Sequence, residues 1–360
     1  KFRLPGMGGG VAVSSSAVAL SPERPYRFSA STDLFLPAFF YSSPGGFFWT
    51  SYWQGSDLLG DHQAAAILAF HSGQSYDYQA DYQYRRYRPQ LALGAYGMGR
   101  KDLVDQDTGQ RFDDTLHGQY AAASYPLDRY HRLELGLSGA SERVYYPDEE
   151  FRDDRQARMG YAAVVRDAVR GRYLVATAGN RLRLSVSEAA EVLGGNRRYH
   201  IAGVEGHQFF PTGGQSALAF RAVGMQALGR DHPDLILGGL GGVRGYGRST
   251  TRDFGNRIAV ANAEWRFPIF PDLNYYMWYM FPDLYFKAIF GTIFTDVGSA
   301  WRSEGEAGHS DMHKLRNSVG LGLRIYTFVL QEFPLFFSFD YAHRTTQNGG
   351  IFYFYLGSIF

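Results

Sequence analysis

Hydrophobic and polar residues alternate one by one along much of the chain. The clearest case is residues 76–85, YDYQADYQYR, where one parity carries four tyrosines and an alanine and the other carries hydrophilic side chains. Because successive side chains of a strand point to opposite faces, this segment forms a strand with one aromatic and one hydrophilic face. The same period returns at residues 131–138 and 181–186. The pattern predicts a series of amphipathic strands.

Sixteen such strands fit the chain, and the connections between them alternate in length. Tight turns contain RPQ, PLDR and VRGR, whereas residues 101–111, 145–156, 229–254 and 302–313 are long and polar. Short turns on one side and long loops on the other are typical of outer-membrane barrels with periplasmic termini. The predicted strands lie near residues 37–44, 46–56, 62–71, 75–88, 90–100, 112–126, 130–144, 157–169, 171–188, 198–210, 214–228, 255–268, 284–301, 314–330, 334–344 and 350–360.

The predicted fold is all-β, a 16-stranded antiparallel transmembrane β-barrel over residues 37–360, preceded by a periplasmic N-terminal lead-in at residues 1–36. A soluble β-sandwich also alternates, but two features favour the outer membrane of a Gram-negative bacterium. The strands are about ten residues or longer, as a tilted crossing requires. The chain is also 16% aromatic and only 20% charged, as aromatic girdles at two interfaces require.

Charge and cysteine content restrict the chemistry. The net charge is +1, with 36 basic and 35 acidic residues, which argues against nucleic acid as a partner. The chain has no cysteine, so disulfides, thiolate metal sites and cysteine nucleophiles are excluded. The histidines, among them His117, His131, His200 and His207, lack the spacing of metal ligands. We predict no metal site and no cofactor.

Residues 237–256, LGGLGGVRGYGRSTTRDFGN, raise the question of a phosphate-binding loop because glycines surround an arginine. The stretch matches neither G-x-x-x-x-G-K-[ST] nor G-x-G-x-x-G, and the pattern after it does not indicate a strand followed by a helix. Nucleotide binding is therefore not predicted here.

The stretch instead resembles the sixth-loop signature of the Omp85 superfamily of outer-membrane assembly and secretion barrels. The resemblance covers most of the chain from about residue 37. Four motifs support this resemblance, and they follow one another in the order of the family pattern. They are the first periplasmic turn at residues 56–62, the loop residues Gly242, Val243, Arg244, Gly245 and Tyr246, the F-x-D-x-G motif of Phe294, Asp296 and Gly298, and the terminal strand with Phe352, Phe354, Gly357 and Phe360.

This resemblance implies a sixth loop that folds into the barrel and a terminal strand that serves as an outer-membrane assembly signal. It implies a function in outer-membrane protein assembly or polypeptide translocation, with a polypeptide client and with periplasmic or outer-membrane protein partners. Outer-membrane lipid and lipopolysaccharide are the expected surroundings.

Strand parity places two carboxylates towards the lumen. A charge on the lipid face costs about 2–4 kcal/mol at mid-depth, so Glu264 and Asp296 are expected to point inward from neighbouring strands. If the sixth loop folds inward as the resemblance implies, Arg244 brings a planar guanidinium suited to both carboxylates. Tyr246 is expected to stack against the barrel wall, and the glycines allow a tight loop tip. We predict an ionic lock between Arg244, Glu264 and Asp296.

The same two carboxylates raise the alternative of an acid/base dyad. A neighbouring arginine keeps both groups ionised, which disfavours general acid catalysis. We therefore predict no catalytic residue and no enzyme activity. Whether the ionic lock only holds the loop or also stabilises a transport-competent state stays open at this point.

An aromatic run interrupts the turn side of the predicted barrel. It contains Tyr275, Tyr276, Trp278, Tyr279 and Phe281. The first interpretation is an anchor in the periplasmic leaflet, since aromatic belts mark membrane interfaces. The alternative is a docking surface for a periplasmic partner.

Acidic residues cluster at 148–150 and 153–154, within a predicted external loop. Calcium or a cation bridging lipopolysaccharide is one interpretation, and a solvated loop is the favoured one.

Assembly and secretion members of the Omp85 superfamily carry periplasmic POTRA modules before the barrel. Residues 1–36 are too few for such a module, which leaves two classes of function. One is an assembly or translocation barrel acting on polypeptides. The other is a passive barrel that serves as an anchor, pore or scaffold subunit of a larger envelope complex.

Overall fold

The computed structural model of the chain consists almost entirely of β-strands. Two 3-10 turns, Pro147–Glu149 and Glu191–Leu193, are the other regular elements among the described residues. Within this part of the chain no helix has the length and apolar character needed to cross a membrane. The structure describes residues 26, 28–42, 46–71, 75–104, 109–172, 175–246, 254–279, 283–302, 315–330, 333–346 and 348–358.

Strand follows strand through the chain. The strands are β1 (Ala30–Ser42), β2 (Gly46–Asp57), β3 (His62–His71), β4 (Ser75–Tyr84), β5 (Gln90–Val104), β6 (Arg111–Pro126), β7 (His131–Tyr146), β8 (Phe151–Asp167), β9 (Arg170–Arg172), β10 (Val175–Ala189), β11 (Tyr199–Gly213), β12 (Ser216–Leu228), β13 (Leu235–Ile236), β14 (Phe254–Gly255), β15 (Arg257–Phe270), β16 (Tyr275–Met277), β17 (Leu284–Trp301), β18 (Arg316–Val329), β19 (Phe333–Arg344) and β20 (Gly350–Ser358).

Eighteen of these strands form one large sheet, and β13 pairs with β14 in a second, small one. The ladders between strands are antiparallel, and each long strand pairs with the next long strand in the chain. Among the described residues no ladder joins β1 to β20. The all-β, antiparallel prediction is confirmed at this level.

The first strand begins at Ala30, earlier than the expected residue 37. Residues 30–36 pair with residues 52–57 of β2, and the ladder contains an irregularity between Thr32 and Leu34. That irregularity and the polar residues before Leu34 interrupt the alternation, which is why the sequence pattern placed the start too late. Most of the predicted lead-in, residues 1–25 and 27, lies outside the described residues.

The predicted long loop at residues 145–156 is wrong. Strands β7 and β8 continue to Tyr146 and from Phe151, so only a short turn separates them. Arg143 and Asp154 face each other across this hairpin with 2.9 Å between Nε and Oδ1. Cross-strand ion pairs of this kind let a highly charged sequence stay in a ladder.

The sheet has two distinct faces. We call the face that carries Glu264 and Asp296 the inner face, and the face that carries Leu137 and Trp265 the outer face. On the outer face large apolar side chains are exposed, with Leu137 63% accessible. On the inner face Tyr120 lies across Gly94, where a Cβ atom would meet its ring at 2.2 Å. The Tyr120 ring therefore packs directly on the inner-face backbone at Gly94, which has no side chain.

We expect a charge to be tolerated on the inner face and not on the outer one. Leu137→Arg, in the middle of β7, should lower the free energy of unfolding in lipid vesicles by about 2–4 kcal/mol, because a guanidinium would enter lipid. Gln79→Arg on the inner face of β4 should change it far less, since Gln79 already donates to Asp81 at 2.7 Å. Equal losses in urea titrations of the two variants would contradict a lipid-facing outer face.

Candidate functional site

The connection between β12 and β15 packs against the inner face of the sheet. Its base is the short β13–β14 ladder. The chain then turns, with the Gly242 N–H donating to the Gly239 carbonyl at 3.1 Å and the Val243 N–H donating to the Leu237 carbonyl at 2.9 Å. A buried apolar cluster holds the loop there, formed by Leu237, Val243, Tyr246 and Val260 of β15. Residues 247–253 lie outside the described residues.

Arg244 at the loop tip forms a bidentate pair with Asp296 of β17. Its Nε donates to Oδ2 at 2.7 Å and its Nη2 donates to Oδ1 at 2.8 Å. The Arg244 backbone N–H donates to the same Oδ2 at 3.1 Å. The Asp296 residue is fully buried and Arg244 is 4% accessible. A planar fork on a carboxylate with no access to water is the strong form of an ion pair.

Two further carboxylates meet the remaining guanidinium nitrogen. Arg244 Nη1 donates to Glu264 Oε1 at 2.7 Å and to Asp340 Oδ2 at 3.2 Å. The guanidinium carbon lies 3.4 Å from the ring centroid of Phe294, a cation–π arrangement. Arg244, Glu264, Asp296 and Asp340 are called the Arg244 cluster below. The structure thus brings together the three residues predicted for the ionic lock and adds a fourth.

Neighbouring arginines complete the charge balance. Arg266 Nη2 donates to Glu264 Oε2 at 2.8 Å, and Arg324 Nη2 donates to Asp340 Oδ2 at 3.0 Å. Three carboxylates therefore face three guanidinium groups, which offsets the cost of burying each charge. Burial lowers the pKa of Arg244, but its hydrogen bond to Asp296 and the surrounding carboxylates raise that pKa above its ordinary value. Arg244 is permanently cationic.

The strand pattern did not predict Asp340, because parity on two neighbouring strands does not show a contact from a third strand. Asp340 lies on β19, separated from β17 by β18. The alternation of the segment Phe337 to Tyr341 is the signal that the sequence offers, since it places Asp340 on the face opposite three aromatic residues. The contact itself depends on how the sheet curves around the loop, which no local pattern reveals.

Tyr246 is enclosed by the loop and the sheet. It is 2% accessible, and its hydroxyl donates to the Asn317 carbonyl at 3.0 Å and lies 2.7 Å from the Thr346 hydroxyl. Arg316 and Arg344 lie over its ring, with the guanidinium carbons 5.5 and 5.6 Å from the centroid. Tyr246 therefore packs against cationic side chains of the wall strands β18 and β19.

Glycines at three points allow this close packing. A Cβ on Gly242 would lie 1.8 Å from the Leu237 carbonyl oxygen. A Cβ on Gly298 would lie 2.8 Å from Val243 Cγ2 and 2.8 Å from the Ala259 oxygen. Gly245 adopts φ +91, which favours glycine, and its N–H donates to the Tyr353 hydroxyl at 2.9 Å.

The predicted aromatic run lies partly in β16. Tyr275 and Tyr276 pair with Phe286 and Tyr285 of β17. Trp278 and Tyr279 follow with 73% and 63% accessible surface. Phe281 lies outside the described residues. The run is at the end of the sheet opposite the Arg244 loop, since it connects the other ends of β15 and β17.

The predicted terminal motif forms part of β20. Phe352 and Phe354 point to the outer face with 62% and 57% accessible surface, and both rings pack beside Phe339 of β19. Gly357 pairs with Phe336. Phe360 lies outside the described residues. Exposed aromatic side chains at this position suit a membrane interface.

The acidic run does not form a cation site. Asp153 accepts from Arg155 Nε at 2.7 Å, and Asp154 accepts from Arg143 and Arg152 at 2.9 and 2.6 Å. In the described part of the chain, no group of three or more histidine or acidic residues is arranged to hold a metal ion. The placement of Asp153 and Asp154 on an external loop was wrong, because both lie within β8.

Comparison with known proteins identifies the family to which this chain is related. A sequence profile described as the Omp85 superfamily domain matches residues 26–360. BamA from Haemophilus ducreyi lacking POTRA domains 1-3 superposes with TM-score 0.63 at 13% identity, over 91% of this chain and 71% of that one. CdiB from Escherichia coli superposes with TM-score 0.65 at 13% identity, over 93% and 63%. The chain thus spans less than two thirds of CdiB. A search of curated proteins found no match.

We expect Arg244 to carry much of the stability of the inner face. Arg244→Ala would leave three buried carboxylates with two guanidinium partners, so unfolding in detergent micelles should require about 3–5 kcal/mol less. Arg244→Lys should recover only part of this, because an ammonium cannot form the bidentate pair. Heat-dependent mobility on semi-native gels reports the loss. Arg129→Ala, in the exposed turn between β6 and β7, is the matched control, and an equal loss in it would contradict this expectation.

We also expect an added methyl group at Gly298, where β17 contacts the loop, to lower the stability of the protein. Gly298→Ala would push Val243 and Leu237 away from β17 and should cost about 1–3 kcal/mol through overpacking. Gly160→Ala on β8 meets open space, with no atom within 4 Å of the added Cβ, and should stay within about 0.5 kcal/mol. Thermal unfolding followed by circular dichroism compares the two. Equal midpoints would show that the loop does not depend on this contact.

Proposed function

The chain belongs to the Omp85 superfamily, and from this premise we propose that it is a sixteen-stranded barrel of a Gram-negative outer membrane that assembles or translocates polypeptides. Its sixth loop is held in the lumen by Arg244. The single observation that carries the proposal is the contact of Arg244 with three carboxylates on β15, β17 and β19. A loop bound to these three strands covers the inner face at the point where they meet it.

The strand pattern supports the barrel architecture. Sixteen strands in the described residues have nine or more residues, and the remaining four have two or three. An even number of antiparallel crossings places both termini at the same end, which for such barrels is the periplasmic one. Counted from β1, the connection from β12 to β15 is then the sixth at the opposite end. Residues 1–36, of which the first strand takes the last seven, would lead from the periplasm into the sheet.

The lumen beside the loop offers contacts to a polypeptide. A cavity of about 400 Å³ lies against Arg244 and is lined by Arg221, Asn262, Arg324 and Tyr355 among others. It presents both donors and acceptors, which an extended backbone requires for hydrogen bonds. Glu264 and Asp340 on its wall are already paired to arginines. Each carboxylate is thus engaged in an ion pair, so the cavity is not proposed as a site of acid/base catalysis.

The Arg244 cluster would also set the transport-competent state. Moving the loop out of the lumen removes one cation from three buried carboxylates, so the inserted loop is favoured by charge compensation. A client that brought its own cations to the inner face would lower that cost. The ionic lock is thus proposed to be both structural and functional.

A passive scaffold is the second candidate, and one observation favours it. Trp278 and Tyr279 expose most of their surface at the turn side, where a fixed periplasmic protein partner would bury them. The periplasmic leaflet would cover the same rings if they are an anchor.

Depletion in the native bacterium separates the two candidates. If the barrel assembles or translocates polypeptides, mass spectrometry should show a defined set of outer-membrane or secreted proteins falling in abundance. Wild type and Arg129→Ala should restore them, and Arg244→Ala should not. An unchanged protein profile together with loss of one stoichiometric partner would contradict transport and support the scaffold.

The folding state of the variants is controlled within the same experiment. Semi-native gels of the isolated membranes measure how much Arg244→Ala barrel is present. Asp340→Asn keeps the bidentate pair between Arg244 and Asp296 and serves as a milder variant. It should restore the client proteins to an intermediate level while its barrel remains as abundant as wild type.

A further inference from the structure

The short hairpin of β9 and β10 contacts a strand that is not its neighbour. Val175 of β10 is 4% accessible and belongs to a buried cluster with Ala288 and Phe290 of β17, against which Tyr326 of β18 packs. Three strands, β11, β12 and β15, lie between β10 and β17 in the sheet. At a spacing of about 4.8 Å per strand, β10 and β17 are about 19 Å apart along the sheet. The hairpin therefore leaves the sheet and lies over it.

The contact lies on the inner face, at the turn end of the sheet. Ala288 and Phe290 share the parity of Asp296 on β17, and Asp296 belongs to the inner face. The strand β8 runs from the loop end to Asp167, so the hairpin that follows it starts from the turn end. Residues 173–174 at the tip of the hairpin lie outside the described residues. The hairpin thus folds over the inner face from the end opposite the Arg244 loop.

The backbone at the base of the hairpin allows it to bend. The ladder between β8 and β10 ends at the pair of Asp167 and Arg181, and β9 then pairs with the first residues of β10 in a ladder of its own. Asp167 Oδ1 accepts from the Val169 N–H at 3.2 Å, which turns the chain at the end of β8. Gly179 adopts φ +92, and a Cβ there would lie 2.1 Å from the Ala168 carbonyl oxygen. Both features make the base a position where a residue with a side chain does not fit.

The hairpin and the Arg244 loop together cover the inner face of β17. Ala288, Phe290, Thr292, Phe294 and Asp296 are each 5% accessible or less. The Arg244 loop contacts the Asp296 end of this row and the hairpin contacts the Ala288 end. Phe290 and Asp296 are about 20 Å apart along the strand. A polypeptide that enters from the turn end along this wall must therefore displace the hairpin before it reaches the Arg244 loop.

We propose that the β9–β10 hairpin is a gate at the turn end of the inner face, and that a client polypeptide opens it by taking the place of Val175. Ala288, Phe290 and Tyr326 form a small apolar site, which an aliphatic side chain of an extended polypeptide fills as Val175 does. Burial of one valine is a modest stabilisation, so an entering segment can compete with it. The proposal rests on the proposed transport function, because it describes where the client enters.

Thiol labelling measures the opening of the hairpin without any client. The chain has no cysteine, so Ala288→Cys places a single thiol in the site of Val175. In nanodiscs a water-soluble maleimide should label this thiol about tenfold faster after Val175→Ala, because the hairpin then loses two buried carbon atoms. Val144→Ala, at a buried valine near the loop end of β7, is the matched control and should leave the rate unchanged.

A second thiol distinguishes opening of the hairpin from general loosening of the barrel. Ala342→Cys lies on β19 against the Arg244 loop and is fully buried. Its labelling rate should be the same with and without Val175→Ala. The gate is overturned if Val175→Ala leaves the labelling of Ala288→Cys unchanged, or if it accelerates both thiols equally.

A cross-link tests whether transport requires the hairpin to open. Val175→Cys combined with Ala288→Cys is joined by a disulfide in the oxidising periplasm or by a short bis-maleimide, and non-reducing gels measure the joined fraction. In the depleted bacterium the joined double variant should fail to restore the client proteins, whereas each single variant should restore them. Full restoration by the joined barrel overturns the gate and leaves the transport proposal standing. If depletion changes no client protein, transport is overturned, and the labelling rates still decide whether the hairpin opens.

Discussion

The buried guanidinium of Arg244 is the contact on which the inner face of the sheet depends. Glu264, Asp296 and Asp340 come from β15, β17 and β19 and converge on one point. Without a cation their mutual repulsion and the loss of hydration would make this arrangement unfavourable. Arg266 and Arg324 neutralise part of that charge from the strands themselves. Among the described residues it is the loop that provides the third cation, so the arrangement of the sheet and the position of the loop depend on each other.

This requirement explains the small residues around the cluster. Gly320 and Gly322 of β18 lie between β17 and β19. A Cβ on Gly320 would meet the Phe294 ring at 2.2 Å, and one on Gly322 would meet both Asp340 and Thr292. Because β18 carries no side chain at these points, Phe294 can lie beneath the guanidinium while Asp340 reaches it across β18. Bare backbone on the middle strand is what allows a contact between its neighbours.

Parity along the strands was sufficient to predict much of this arrangement. It places Glu264 and Asp296 on one face, and the resemblance to Omp85 loops names Arg244 as their partner. Parity fails where a contact joins strands that are not neighbours, or where ion pairs between two strands keep charged residues in a ladder. Asp340 reaches Arg244 only through sheet curvature, and residues 145–156 read as a loop because their charges are paired across a hairpin. A charged composition is typical of solvent-exposed loops, but ion pairs across a ladder allow the same residues to form strands.

In the first half of the sheet, polar and charged residues of the inner face are paired in a different way. On β4, β7 and β8 inner-face polar residues pair with the second neighbour in their own strand, as Gln79 does with Asp81, Arg132 with Glu134 and Arg155 with Asp153. Such pairs do not need another element, so they stay formed wherever the loop lies. Displacing the loop would break the Arg244 cluster, the Tyr246 contacts and two bonds to the loop backbone, from Asn262 Nδ2 to the Gly242 carbonyl at 3.0 Å and from Arg221 Nη1 to the Gly241 carbonyl at 2.8 Å. Among these contacts the Arg244 cluster is the one that joins three buried carboxylates to the loop, so a local change in charge there can shift the position of the loop.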